Sequence, residues 1–286
     1  MKVLITGGSG MLGQDLVRTV PPGIEVVALG SKELDITNLE LLEKLIKQVV
    51  PDRVIHCAAW TDVDGCEKDP AKAELVNYTG TCNVGTICGQ LEIPICYIST
   101  DFVFDGTNNI PYNENDSTNP ISVYGKTKLM GEEWIKQHLS SFFIVRTSWL
   151  FGVSGKNFVA TMLRLAKENM PIKVVNDQYG SPTFTEDLAR AIWSLVTGDK
   201  FGLYHVTNSG SCSWYEFAGE IFKIAGIDRE ILPVTTKELN RPAKRPAYSV
   251  LSNNKWHQSG FIPLRHYKEA LSAYLSILKV SSISNG

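Results

Sequence analysis

The chain has 286 residues, of which 43% are hydrophobic and 20% charged. That is enough for one large domain or two closely joined ones with a full core, and it excludes disorder. A formal net charge of −2 gives no electrostatic case for nucleic acid or a membrane surface as partner. The six cysteines form no C-x-x-C pair and have no His-x-x-x-His beside them, which argues against zinc and fits reduced thiols in a cytoplasmic protein.

In chain order, short β-branched runs alternate with longer amphipathic ones. Val3 to Thr6 reads as a strand and Met11 to Val20 as a helix; Ile24 to Leu29 is a second strand. Asn38 to Val49 is helical, with Leu39, Leu42, Leu45, Ile46 and Val49 on one face and Thr37 or Asn38 as its cap. Arg53 to His56 follows as a strand, Ala71 to Leu91 as one long helix and Ile95 to Ser99 as a fourth strand. Asp101 to Pro120 has no helical period and reads as a long, functional loop. Helical spacing resumes over Ser122 to His138, and Phe142 to Thr147 is another strand. Apolar strands separated by helices predict an α/β fold, a Rossmann-like doubly wound parallel sheet covered on both faces. Beyond Phe151 the pattern loosens. The expectation is a Rossmann domain over 1–150, with some later segments returning to it, and a smaller α/β cap over 151–286. No apolar stretch reaches the length needed to span a membrane.

The run Gly7-Gly8-Ser9-Gly10-Met11-Leu12-Gly13 follows the first strand and opens the first helix. Glycines suit a tight turn, a backbone that must approach a pyrophosphate, and a helix packed close to the sheet; the helix N-terminus offers free N–H groups to the phosphates. Alone the string is weak, but at the start of a βαβ unit it predicts dinucleotide binding. The tip of the second strand reads Leu29-Gly30-Ser31-Lys32, with no acid to hold a ribose. Ser31 and Lys32 are suited to a 2′-phosphate, which leans toward NADPH with NADH as the second choice, and Asp35 follows in a loop position suited to the adenine.

Tyr124 and Lys128 stand at i and i+4, one turn apart on a helix face. A nearby ammonium lowers a phenol's pKa, so the tyrosine can give a proton to a carbonyl as hydride arrives. Thr100 ends the fourth strand, where ligands bind in such sheets, and its hydroxyl can meet the same carbonyl. A tyrosine and a lysine at this spacing are common on any helix; it is their combination with the glycine loop and Thr100 that predicts reduction.

On these residues the chain resembles the extended short-chain dehydrogenase/reductases and, among them, the dTDP-4-dehydrorhamnose reductases. The resemblance also rests on Ala58 to Asp64, Ser99 to Gly106, Arg146 to Trp149, Asn157-Phe158, Thr161 to Ala166, Asn176 to Thr183 and Arg245-Pro246, nearly the whole chain. It implies reduction of the 4-keto group of dTDP-4-dehydro-β-L-rhamnose, a small-molecule substrate. By the family pattern Tyr124 is the general acid, Lys128 lowers its pKa and holds the nicotinamide ribose, and Thr100 bonds the keto oxygen. Asp101, Trp149 and Arg245 fall in the substrate site, although Arg245 reads equally well as part of a basic surface turn with Arg241 and Lys244. Gly10, Met11 and Leu12 match pyrophosphate contacts, Asp35 and Ile36 the adenine end, and Ala58, Ala59, Trp60 and Thr61 the cofactor cleft. Some members hold Mg²⁺ at a dimer interface through glutamates. The nearest matches are Asp15 and Glu186, but Asp15 is short, no third ligand is evident and both fit first-turn helix acids, so the expectation is against Mg²⁺, and a homodimer stays open.

Other readings are an epimerase or a different sugar-nucleotide reductase, and a non-catalytic subunit like the regulatory one of methionine adenosyltransferase. A 4,6-dehydratase needs a second carboxylate after Asp101, where this chain has Phe102.

Overall fold

The computed structural model describes residues 1–284, with side chains through residue 278. Its centre is a six-stranded sheet in which every pair is parallel. Strand β1 (Lys2–Thr6) lies between β2 (Glu25–Leu29) and β3 (Arg53–His56); β4 (Ile95–Thr100), β5 (Phe142–Thr147) and an edge strand, Gly202–His205, follow outward. The strand order therefore reverses at β1, and the crevice at the carboxyl ends of β1 and β3 is where such folds bind ligands. Alternation along β1 sends Val3 and Ile5 into one core and Leu4 into another. Both faces are thus covered, as expected of an all-parallel sheet.

On one face, the helices Met11–Arg18 and Thr185–Val196 supply Leu12, Leu16, Leu188, Ile192 and Trp193. On the other, the helices Leu39–Val49 and Gly80–Gln90 supply Leu42, Ile46, Val84 and Ile87. Asn38 caps the first of these by accepting the Leu41 N–H at 3.0 Å. A separate core gathers Phe151, Val159, Met162, Phe184, Phe217, Ile221 and Tyr274, all from beyond residue 150. Short strand pairs such as Ile172–Val175 with Ile231–Val234 edge this second unit. Helix Thr185–Val196 and strand Gly202–His205 return to the first unit, so the chain crosses between the two more than once.

Two expected elements differ. The long helix predicted over Ala71 to Leu91 starts at Pro70 and contains a widened π turn, Leu75–Thr79. There Asn77 is turned inward, accepting the Trp60 N–H at 2.7 Å and donating to the Trp60 carbonyl at 3.1 Å. The widened turn thus pins the segment after β3. The loop after Thr100 begins with a 3₁₀ turn, Asp101–Val103.

Candidate active site

The carboxyl ends of the strands open into a cleft of about 460 Å³ between the two units. It gathers Gly7, Gly10, Met11, Leu12, Gly13, Ala59, Thr61, Thr100, Asp101, Tyr124, Lys128, Trp149 and Arg245 on its walls, all expected site residues.

The glycine loop is built by close packing. A side chain on Gly7, whose φ is +70°, would meet the backbone of Ala58 at 2.6 Å, and one on Gly13 would meet the Gly7 carbonyl at 2.4 Å. Ala58 is thus the floor beneath the loop rather than a cleft wall. Gly10 precedes helix Met11–Arg18 without any side-chain cap, so the first-turn N–H groups are left for a ligand. An uncapped helix start framed by glycines fits a pyrophosphate.

The reactive wall comes from β4 and helix Val123–His138. β4 runs past its last pairing with β3, His56 to Tyr97, and so carries Thr100 beyond the end of β3 while it stays paired with β5. Ser122 caps the helix, accepting the Gly125 N–H at 3.1 Å. A side chain on Gly125 would lie 2.2 Å from the Phe102 carbonyl, so only glycine brings the helix this close to the turn after Thr100. Tyr124 then packs edge-on against Phe102, centroids 5.7 Å apart. The Thr100 hydroxyl lines the cleft beside the phenol, donates to Asp101 Oδ1 at 3.0 Å and accepts the Phe102 N–H at 3.2 Å. Phe102 stands where a dehydratase needs its second acid; Asp101 is the one carboxylate among the described residues on the cleft walls.

Burial raises the Tyr124 pKa, Asp101's charge adds to the rise, and the bond from Thr100 offsets part of it. The ammonium of Lys128 lies 4.0 Å over the Tyr97 ring, and burial pulls its pKa down to about 7 against the opposing charge of Glu132. The lowering of the phenol expected from Lys128 is therefore not the leading influence on Tyr124 in this structure. Glu132, one turn along the helix, is kept ionised by Arg146, which donates from Nε at 2.9 Å and Nη2 at 2.7 Å. Burial lifts the Asp101 carboxyl to about 7, and hydroxyls of Ser249 and Thr100 oppose that shift.

Arg245 separates from its basic neighbours: it lines the cleft, held by Asp64 at 3.1 Å, while Arg241 is exposed and only shares that carboxylate. Six expected cofactor residues lie off the cleft walls, Ala58 among them. Ser31 and Lys32 are exposed beyond β2; Asp35 is exposed, its carboxylate closing a turn on Thr37; Ile36 is buried in the core against Gly80. Trp60 is also off the wall, with Lys72 over its ring at 4.5 Å. The strand tip read as free of acid receives one after all. A turn folds Glu33 back so that its Oε2 accepts the Gly30 N–H at 3.0 Å.

The metal candidates correct the sequence reading in one respect. Glu186 is in a helix first turn, but Asp15 lies a turn inside its helix and is fully buried. One nitrogen of Arg18 pairs with both carboxylates, which places a cation between them. Among the described residues no group of three candidate ligands is assembled.

Trp214, Lys156 and Thr147 also line the cleft; Trp214 and Lys156 carried no sequence signal, and Thr147 carried one only as part of the stretch from Arg146 to Trp149. Trp214 stacks on Trp149 with centroids 3.5 Å apart and planes 5° from parallel. Trp149 holds a positive φ of 48°, and a side chain on Gly180 would strike its indole at 2.3 Å. Thr147 pairs in register with Thr100, and its buried hydroxyl has no protein partner. Among the described residues no helix is long and apolar enough to cross a membrane.

A family model described as "RmlD substrate binding domain" matches residues 1–280. The spore coat polysaccharide biosynthesis protein SpsK of Bacillus subtilis is 44% identical over 96% of each chain. A crystal structure of a dTDP-4-dehydrorhamnose reductase from Clostridium acetobutylicum superposes with a TM-score of 0.95 at 43% identity, covering 98% of this chain and 100% of that one. One from Bacillus anthracis, in complex with NADP, gives 0.94 at 41%, covering 96% and 98%.

Proposed function

The chain belongs to the RmlD substrate-binding family, and from that premise we propose that it reduces the 4-keto group of dTDP-4-dehydro-β-L-rhamnose to dTDP-L-rhamnose with NADPH, taking NADH as second cofactor. The observation that carries the reading is the meeting of the uncapped glycine loop with Thr100, Tyr124 and Lys128 in one cleft. Relatives of similar length that are named for this reduction, one of them holding NADP, support the choice of substrate and cofactor.

The first unit takes the cofactor and residues 151–286 mainly take the sugar nucleotide. Met11 and Leu12 offer the pyrophosphate first-turn N–H groups, and Gly7, Gly10 and Gly13 let the loop approach it. Ala59 and Thr61 border the cofactor, with Ala58 beneath the glycine loop, while the exposed Asp35 lies toward its adenine and the exposed Ser31 and Lys32 toward its 2′-phosphate. The bound nicotinamide supplies the hydride. Thr100 fixes the keto oxygen by hydrogen bond, and Tyr124 gives that oxygen a proton as negative charge develops on it. Lys128, seated over the Tyr97 ring and in the field of Glu132, holds the nicotinamide ribose and acts on the phenol once the cleft is filled. The Trp149–Trp214 stack offers an apolar face to the sugar, and Arg245 a cation to the diphosphate. The protein works in the cytoplasm, alone or as a homodimer; its six thiols are all free.

The test is loss of reduced-nicotinamide absorbance with freshly generated dTDP-4-dehydro-L-rhamnose, run with each cofactor. Rapid oxidation matched by dTDP-rhamnose formation, faster with NADPH, is expected. Cofactor binding without oxidation overturns the substrate assignment.

A further inference from the structure

Asp101 stands differently from a residue free to hold a sugar. Both carboxylate oxygens are engaged inside the protein: Oδ1 accepts from Thr100 at 3.0 Å and Oδ2 from the Ser249 hydroxyl at 2.5 Å. Asp101 and Ser249 are each only 2% exposed. Ser249 comes from the far end of the chain. Its N–H donates to the Tyr179 carbonyl at 2.8 Å, and Tyr179 in turn donates its own N–H to the Ala247 carbonyl at 2.8 Å. Thr100 meanwhile shares the cleft wall with the Tyr124 phenol and acts on it to lower its pKa. Thr100, Asp101 and Ser249 are thus joined by hydrogen bonds, and the Thr100 end of that line faces Tyr124 on the cleft wall.

Thr100 has one proton and two acceptors beside it. When Asp101 is ionised, Thr100 donates to Asp101 and is free to accept from the phenol. When Tyr124 is ionised, Thr100 donates to the phenolate and accepts from a protonated Asp101. The two arrangements differ by one proton moved from end to end of the line.

We propose that Asp101, with Ser249 as its positioning residue, is the proton reservoir that reloads Tyr124 through Thr100. The inference rests on the ketone reduction proposed above. In each turnover hydride adds to the carbonyl carbon and the Tyr124 proton goes to its oxygen, leaving phenolate. The O–H of Thr100 then passes to the phenolate as the O–H of Asp101 passes to Thr100. The Asp101 carboxylate that remains is held by the Ser249 hydroxyl until it takes a proton from water after product leaves. One hydride and one solvent proton are consumed, and every side chain ends as it began. A carboxyl lifted to about 7 by burial carries that proton near neutral pH. The titratable group coupled to Asp101 is Tyr124, which also feels Cys66; Lys128, Lys156 and Arg245 are the cations on the other walls of the cleft.

The test compares Asp101→Asn, which keeps hydrogen-bonding capacity but holds no transferable acid proton, with Ser249→Ala. Asp101→Asn is expected to lower kcat roughly 10²-fold, the scale for a lost acid–base group, while NADPH binding, read by fluorescence, is unchanged. Ser249→Ala removes a donor to the carboxylate, which raises its proton affinity. The alkaline limb of its kcat–pH profile is therefore expected at higher pH than in the parent, a shift that a general loosening of the fold does not produce. The proton inventory in mixed light and heavy water is expected to bow in the parent and to straighten in Asp101→Asn. An unmoved limb, or a linear inventory in the parent, overturns the relay. Infrared difference titration answers without turnover, so failure of the substrate assignment stays distinguishable. A protonated Asp101 C=O band is expected to persist toward neutral pH, to persist further in Ser249→Ala and to be missing in Asp101→Asn. A carboxyl already ionised at about pH 5, near the ordinary range, overturns the proposal.

Discussion

Tyr124 is placed by its neighbours more than by its own chemistry. Gly125 admits the Phe102 carbonyl, Phe102 supports the phenol ring, and Thr100 shares its cleft wall. Tyr124→Phe keeps the ring and its packing and removes only the transferable proton. We expect kcat to fall by roughly 10²-fold or more, with NADPH affinity retained in a fluorescence titration; near-normal turnover removes Tyr124 from the mechanism. The residues of this wall are legible in sequence because each sits at a strand end or on one helix face. Trp214, Lys156 and Ser249 are not, because only the folded chain brings them to the cleft. Glu33 was missed for a smaller reason. It follows Gly30 by three positions, and it takes a turn rather than a strand to carry its carboxylate back to the tip.

At the scale of elements, helix Val123–His138 depends on its first turn. Ser122 is 1% exposed and its hydroxyl accepts the Gly125 N–H. Removing such a cap costs about 1 kcal/mol. Ser122→Ala is therefore expected to lower the urea midpoint by that equivalent with an unchanged slope, and an unaltered midpoint shows that the buried helix start is satisfied otherwise. Strands and amphipathic helices follow from periodicity, and the Asn38 cap was legible for the same reason. The π turn was not: its cause is Asn77 reaching Trp60 and Thr127, contacts that no local pattern encodes.

Across the whole molecule, two buried imidazoles make stability depend on acid. His56 lies between Thr6 and Thr81, its Nδ1 2.7 Å and its Nε2 3.1 Å from their hydroxyls. Burial, helped by the charge of Lys128, lowers its pKa to about 3, and burial beside Arg146 holds His205 well below its usual value. The unfolded chain takes up these protons near about pH 6.5 and the folded one only far below it. Their contribution is thus complete above about 6.5 and is lost as pH falls toward about 3. Asp101, lifted to about 7, works the opposite way over the same window and offsets part of this loss. Urea midpoints should therefore decline on acidification from about pH 7 to about pH 4.5, and more steeply in Asp101→Asn, with the His56 ring staying neutral by NMR throughout; a flat midpoint in Asp101→Asn contradicts this. The parallel sheet and its covering helices were readable from the alternation of strands and helices. How the second unit interleaves with the first was not readable, because it depends on which late segments pack where.

That interleaving bears on inheritance. Helix Thr185–Val196 completes a core begun by β1, and strand Gly202–His205 covers the edge of β5. A gene cut after residue 150 would leave a sheet with a bare edge and half a core, so neither piece can be traded between lineages as a cassette.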